Sequence, residues 1–441
     1  MGDRFPEPVE AEKFLSRKVK VETEKWDELK WGEHAHAFTV AHSIKAGVLD
    51  HIHGLLNKAM SEGQAFSAFK KNMLTLMEKS GWYGREGKTK DDKTYINWRI
   101  RIIYDTNMRT AHAAARYRRQ LQAADLRPVW IYKSKLVGKN RRQEHIVLHN
   151  KAFRYDDPFW NSYYPPNGWE CKCFVDTRSE SGAQREKIDI LETDKNGNPP
   201  DIGVDWNTVA DKAWKYNVGC EALAPNFGKF NNIKDADKKN GTHYMEEIRN
   251  RYQEDLDKSR MTEPEFSAYM RRAKDTDYRS AGYILQVGNL ENKRFVALSG
   301  KTGITDSKIM ATDTQLWHSQ GNKIKRVKEA ENRTDLTPAE KVQEVKRLED
   351  MVVPQDMFGD LYEQLQEPDR IYLSKNPHTK RQALEFHFVK TLPKGRVIRI
   401  VLRVYMDPEN GLYLAPEVIT IEKIDDVYKG KGLKKYEEIK W

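Results

Sequence analysis

Between residues 145 and 173 the chain places two histidines, His145 and His149, ahead of two cysteines, Cys171 and Cys173. Two imidazoles and two thiolates form a donor set for a tetrahedral zinc ion. A structural zinc would order a segment too poor in apolar side chains to order itself. The Cys-x-Cys spacing is tighter than the usual gap of about two to four residues, and a disulfide between residues two apart would be strained. The competing reading is two small buried thiols beside solvent-facing histidines. Cys220 follows a helical stretch and reads as a core residue.

A second group lies near the C-terminus. In ALEFHFVK (383–390) strand alternation turns Leu384, Phe386 and Phe388 one way and Glu385 and His387 the other. In RVIRIVLRVYM (396–406) it buries Ile398, Ile400, Leu402 and Val404 and leaves Arg399, Arg403 and Tyr405 on the opposite face. A hairpin through TLPKG brings the two polar rows together. Upstream, LWHSQGNK supplies His318 and Lys323. RNA cleavage without metal needs a base, an acid and cations aimed at the phosphoryl charge. His387 and His318 are the candidates for proton transfer, with Glu385 a competing base. Arg399, Arg403 and Lys323 are the candidate clamps, and Tyr405 a stacking or hydrogen-bonding group. Grouped carboxylates of the two-metal kind are missing. The competing reading is an ordinary solvated sheet face.

The elements that must position these groups fall into four regions. Residues 1–125 read as helical. Apolar spacing from Phe38 through Ala41, Ile44, Val48, Ile52, Leu55 and Leu56 predicts one helix ending near Gly63. Others are expected over about 65–79 and, as a long helix, from Thr94 past Leu121. Residues 126–180 open with a strand, VWIYKS, and continue as an irregular, loop-rich module. Residues 181–279 read as linker with helices at about 206–215 and 243–274. Residues 280–441 read as an α+β domain with an antiparallel sheet whose strands include RFVALS, RIYLSK, ALEFHFVK, VIRIVLRVYM and VITIEKID, with a charged helix at about 338–351. The whole is multidomain.

Composition narrows the function. The 441 residues are 38% hydrophobic and 32% charged, with a net charge of +10, which fits a chain that meets nucleic acid or an acidic protein. Three cysteines exclude a disulfide framework and point to a reducing compartment. No apolar run approaches the ~18 residues of a membrane span, and the acidic, proline-spaced N-terminus has no signal region. The charge is uneven. Arg99, Arg101, Arg109, Arg116, Arg118, Arg119, Arg127, Lys133, Lys135, Lys139, Arg141 and Arg142 face only Asp105 and Asp125 over residues 99–142. Over 371–405, Lys375, Lys380, Arg381, Lys390, Lys394, Arg396, Arg399 and Arg403 face Glu385 alone. DNA and an acidic protein surface both suit such stretches.

The stretches YDTNMRTAHAAARYRRQ, RPVWIYKS and RRQEHIVLHNKAFRYDDPFWNSYYPPNGWECKC, with the upstream WDELKWGEHAHAFTVAH, resemble the Mu F-like phage minor head proteins. This is the phage head morphogenesis domain, and the resemblance covers roughly residues 10–180. It implies a structural role: a few copies inside the phage head, assembled in the host cytoplasm, with the portal and inner capsid proteins as partners. Many members end PP-x-H-x-x-C-R-C. Here PPNGWECKC lacks that histidine and has Lys172 for the arginine, which leaves His149 to fill the vacancy beside His145. Residues 285–430 resemble the phage-associated nucleases of the barnase–EndoU–colicin–RelE-like fold, with 326–352 as an insertion. That resemblance implies a helical start, a four-stranded antiparallel sheet and action on RNA or DNA, by an active metal-independent ribonuclease or by a silent nucleic-acid- or portal-binding module.

Overall fold

A computed structural model of the chain describes residues 9–30, 32–43, 47–136, 142–194, 197–258, 261–273, 283–319, 321–353, 365, 368–374, 383–392, 395–405, 417–428 and 434–441. Ile44, Lys139, Arg141, Lys375, Lys380, Arg381 and Lys394 lie outside the described residues. The fold divides into two units, one of residues 1–225 and 230–251, the other of residues 226–229 and 252–441.

The first unit opens with α1 (Val9–Ser16), β1 (Val19–Lys20), α2 (Glu33–His36), β2 (Ala37–Phe38), α3 (Val48–Ser61), α4 (Phe66–Ser80) and α5 (Lys93–Gln122). Helix α5 has 30 residues, about 45 Å at ~1.5 Å per residue. Its stripe Ile96, Ile100, Ile103, Met108, Ala111 and Ala115 packs with Ile52 and Leu56 of α3 and Met73 and Met77 of α4. That is the period the sequence predicts for α4 and α5. The expected single helix from Phe38 to Gly63 is instead two short elements and α3. Phe38 pairs with Lys20 in a parallel two-stranded ladder, and those backbone bonds displace helix there.

The central module follows with β3 (Val129–Lys133), α6 (Gln143–Val147), β4 (Ala152–Arg154), α7 (Phe159–Tyr163), β5 (Phe174–Arg178), α8 (Glu180–Arg185) and β6 (Ile190–Leu191). Its strands form a four-stranded sheet in the order β5-β3-β4-β6. Strand β3 is antiparallel to both neighbours. Val129 and Ile131 pack with Ala152 and Ala183. Trp130, on the other face, meets Tyr117, Trp160 and Tyr164 at ring separations of 5.7, 5.7 and 6.0 Å. Aromatic side chains thus supply the core that aliphatic ones do not, each burying a large area.

Residues read as linker carry α9 (Trp206–Val209), α10 (Val218–Leu223), α11 (Asn231–Asn240) and α12 (Tyr244–Lys258). The buried Glu33 carboxylate accepts from the N–H groups of Asn232 (2.9 Å) and Ile233 (3.2 Å) and so caps α11. Helix α10 crosses α5 so closely that a Cβ on Gly219 would lie 2.4 Å from the Tyr117 Cβ.

The second unit adds α13 (Glu263–Ala273), β7 (Ile284–Asn289), α14 (Asn292–Thr302), β8 (Lys308–Thr312), α15 (Asp313–Ser319), α16 (Gly321–Glu331), α17 (Pro338–Glu349), β9 (Arg370–Ser374), β10 (Ala383–Thr391), β11 (Arg396–Tyr405), β12 (Glu417–Asp425) and β13 (Tyr436–Ile439). These make a seven-stranded sheet ordered β13-β9-β10-β11-β12-β8-β7, larger than the four strands expected. All pairs are antiparallel except β12 with β8. RFVALS is a correction: it lies inside α14, because a short apolar run does not by itself separate helix from strand. The helix expected over 243–274 is two, α12 and α13, with Pro264 in the first turn of the second.

The approach at Gly219 yields a test. Gly219→Ala should destabilise the chain by about 1–3 kcal/mol through overpacking, read from urea unfolding. Gly300→Ala, inside α14 with nothing near its Cβ, should be neutral or stabilising by up to about 1 kcal/mol.

Candidate functional site

Three of the four predicted metal ligands converge. The Nδ1 of His145 and the Sγ atoms of Cys171 and Cys173 all lie within 4.8 Å of one another. Helix α6 carries His145, and the Cys-x-Cys pair leads directly into β5. The cysteines are held from behind by α5. Arg109 donates to the Cys171 carbonyl at 3.3 Å, and Gln120 to the Val175 carbonyl at 2.8 Å.

The ring of His145, 3% exposed, is oriented by a single bond. Its Nε2 lies 2.7 Å from the Val209 carbonyl oxygen, which can only accept, so Nε2 carries a proton. Nδ1 faces Cys173 Sγ at 3.4 Å and Cys171 Sγ at 3.7 Å. Zinc with ~2.3 Å bonds to sulfur and ~2.0–2.1 Å bonds to nitrogen separates N from S by about 3.6 Å across a tetrahedron. The two separations bracket that value, so the three donor atoms stand where one cation could bind them all. The sulfurs are themselves asymmetric. The hydrogen bond from the Cys171 thiol, with His145 adding to it, pulls Cys173 down to about 4. Cys171 is held above its ordinary value by the neighbouring Cys173 sulfur and by burial.

His149 does not join the group. Its Nδ1 lies 3.1 Å from the backbone nitrogen and oxygen of Ser134. Gly168 occupies the histidine position of the PP-x-H-x-x-C pattern. A Cβ there would come 2.5 Å from Asp211 Oδ2 and 2.6 Å from Arg142 Nη1. The Arg142–Asp211 pair, with bonds of 2.6 and 2.8 Å, therefore fills the space. Spacing did not reveal Tyr132 or Ser134. The Tyr132 hydroxyl hydrogen-bonds Cys173 and accepts from Asn167 at 3.1 Å. The Ser134 hydroxyl lies 3.7 Å from Cys173 Sγ. Three protein donors leave a fourth tetrahedral position for another ligand.

Much of the basic stretch is engaged internally. Arg99 donates to the Ala41 carbonyl (2.8 Å), Arg109 pairs with Asp105 (3.0 Å), Arg119 with Glu10 (2.7 Å) and Arg127 with the Thr177 hydroxyl (2.7 Å).

In the second unit the register places Glu385 opposite Arg403, His387 opposite Val401, Val389 opposite Arg399 and Ala383 opposite Tyr405. Glu385, His387, Arg399, Arg403 and Tyr405 thus share one face, as alternation predicts. That face is not open. His387 is 5% exposed, its Nδ1 lies 2.5 Å from the Tyr428 hydroxyl, and its ring is 4.9 Å from that of Tyr436. Arg403 Nε donates to Glu385 at 2.9 Å, Arg399 pairs with Glu422, and Arg403 also reaches the Tyr405 hydroxyl at 3.4 Å. Burial, with the Arg399 charge adding to it, pushes His387 down to about 4.

His318 and Lys323 sit elsewhere. Strand β12 stands two strands from β10, about 10 Å at ~4.8 Å per strand. Along its outer side Ser319 Oγ accepts from Ile421 N (3.3 Å) and Lys323 Nζ donates to Ile421 O (3.0 Å). Burial lowers the Lys323 pKa, partly offset by Glu422. His318, next to Ser319, is exposed.

Comparison with known proteins bears most directly on the segment that carries these ligands. Residues 50–176 match the family described as Phage Mu protein F like protein. That span is similar to the Mu F-like proteins. It contains α5, β3, α6 and all three converging ligands. The chain is 31% identical over 300 residues to the "Putative capsid assembly protein F" of Escherichia phage Mu, covering 61% of this chain and 65% of that protein. It is 33% identical over 221 residues to the Mu-like prophage FluMu F protein of Haemophilus influenzae, covering 45% of this chain and 53% of the relative. The matched segment spans less than two thirds of either relative. No solved structure matches.

The buried His387 predicts a pH effect. Its folded pKa, about 4, lies below the unfolded value of ~6.5, so the unfolded chain binds the extra proton between those limits. Stability should be intact above about pH 6.5 and fall toward pH 4, by no more than a few kcal/mol from this group. Urea unfolding at pH 7 and pH 4.5 should show the loss, and His387→Phe should shrink it.

Proposed function

We propose that this chain is a capsid morphogenesis protein of a Mu-like phage. It enters the head during assembly in the host cytoplasm and remains in the virion at the portal vertex, against portal and inner capsid proteins. The observation that carries this reading is the 300-residue similarity to a protein named for capsid assembly. Among the described residues, no helix is long and apolar enough to cross a membrane. In phage lacking this gene, infectious heads should fail to form, and mass spectrometry should find the protein in purified wild-type heads. Normal heads without it would end the proposal.

The role of the converging ligands in this reading is structural. His145, Cys171 and Cys173 hold a zinc ion that pins α6 to the start of β5. The fixed His145 tautomer supports this, since a partner on the far nitrogen orients a metal-bound imidazole. Purified protein should contain about one zinc per chain. His145→Ala and Cys173→Ser should lose it, and His149→Ala should keep it. Chelation should lower the melting temperature by roughly 5 °C or more, equivalent to about 2 kcal/mol. Zinc retained without His145 would refute the ligand set.

For the second unit the binding-module reading is favoured over an active ribonuclease. Glu385 and Glu422 neutralise the two arginines that would clamp a phosphate, and His387 is shielded from substrate. Full-length protein should leave labelled tRNA and DNA intact with or without EDTA. Cleavage that survives EDTA and disappears in His387→Ala would restore the ribonuclease, with His387, His318 and Glu385 in its proton-transfer steps.

A further inference from the structure

The Cys173 sulfur ends a chain of buried hydrogen bonds that starts at a backbone carbonyl. The side-chain nitrogen of Asn167 donates to the Tyr163 carbonyl at 3.0 Å and to the Tyr132 hydroxyl at 3.1 Å. Tyr132 in turn hydrogen-bonds Cys173. Asn167 and Tyr132 are both 0% exposed, so bulk water does not compete for these groups.

Each direction along the chain is forced. A carbonyl only accepts, so the nitrogen of the Asn167 amide, not its oxygen, faces Tyr163. That nitrogen has two hydrogens, and Tyr163 and Tyr132 take both. The Tyr132 hydroxyl therefore accepts from Asn167, and its one proton is left for the Cys173 sulfur. Reversing the amide would bring two oxygens to 3.0 Å. As it stands, Asn167 Oδ1 is buried and has no partner among the described residues. An unpaired buried acceptor is destabilising, so stability alone does not account for an amide here.

The backbone fixes both side chains. Tyr132 lies in β3, where its N–H donates to the Lys151 carbonyl at 2.8 Å and its carbonyl accepts from Asn150 at 2.9 Å. The Asn167 carbonyl accepts from the Asp211 N–H at 3.0 Å. The Tyr132 ring also stands edge to face with that of His145, at 6.4 Å. One side chain thus meets both a sulfur and an imidazole of the ligand set.

We propose that Tyr132 and Asn167 are positioning residues of the metal site, supplying the hydrogen bond that orients the Cys173 sulfur and stabilises its charge on the ion. This rests on the zinc reading of His145, Cys171 and Cys173. Two thiolates bring negative charge to a place where His145 and Cys171 are 3% and 7% exposed. Partners behind metal ligands set affinity by about 10–100-fold.

Zinc affinity of the full-length protein, measured by competition with a chromophoric chelator, should therefore fall about 10–100-fold in Tyr132→Phe. Tyr163→Phe is the control. It removes a buried hydroxyl that donates to the Trp206 carbonyl but keeps the Tyr163 carbonyl, and it should bind zinc as the unsubstituted protein does. Cobalt in place of zinc reads the bond itself. A hydrogen bond lowers the energy of a sulfur lone pair, so its loss should move sulfur-to-cobalt charge transfer to longer wavelength. The band should shift in Tyr132→Phe and stay in place in Tyr163→Phe. Should Tyr132→Phe fail to fold, Asn167→Leu removes the donor that directs the Tyr132 proton and should shift affinity and band in the same directions. An unchanged band in whichever variant folds overturns the proposal and leaves the zinc site standing. Failure of the unsubstituted protein to bind zinc overturns both.

Discussion

One hydrogen bond governs the central module. Val209 offers His145 a carbonyl, and a carbonyl cannot donate, so the ring's other nitrogen must face the two cysteines. Without that constraint the imidazole could turn away from the two sulfurs. With it, the segment from α6 to β5 has a fixed point 64 positions from its anchor in sequence. The other support is aromatic. Around β3, Trp130 and Trp160 each meet Tyr164 edge to face and meet each other tilted, a geometry that fixes orientation as well as burying area.

The long regular elements were legible because their side chains repeat. Helices α4 and α5 and strands β9 to β12 announce themselves by periods of about 3.6 and 2. The cysteine pair was also legible, since residues two apart along an extended chain point the same way. Legibility stopped where partners come from afar. Nothing local marks Val209 as the acceptor for His145. Nor does anything local show that Arg142 and Asp211 take the place of a side chain at Gly168. His149 looked equivalent to His145 by type and spacing, yet the backbone of Ser134 claims it.

The C-terminal sheet shows a different limit. Alternation correctly sorted Glu385, His387, Arg399 and Arg403 onto one face, but it does not say what covers that face. Tyr428 and Tyr436 do so, and each arginine finds a carboxylate on its own or the adjacent strand pair. A polar row that looks poised for a substrate is in large part a set of cross-strand pairs. Strands β7, β8 and β13, which extend the sheet on both sides, lack the long apolar alternation of β10 and β11.

The outer side of β12 carries a further consequence. Beyond its brief pairing with β8 at Glu417 and Val418, the strand would offer bare N–H and C=O groups to any neighbouring chain. Ser319 and Lys323 take up both groups of Ile421. An exposed strand margin is a template for intermolecular ladder growth, and here two side chains stopper it. Copies crowded at high local concentration can then press against one another without this strand recruiting another into a continuous, fibre-like sheet.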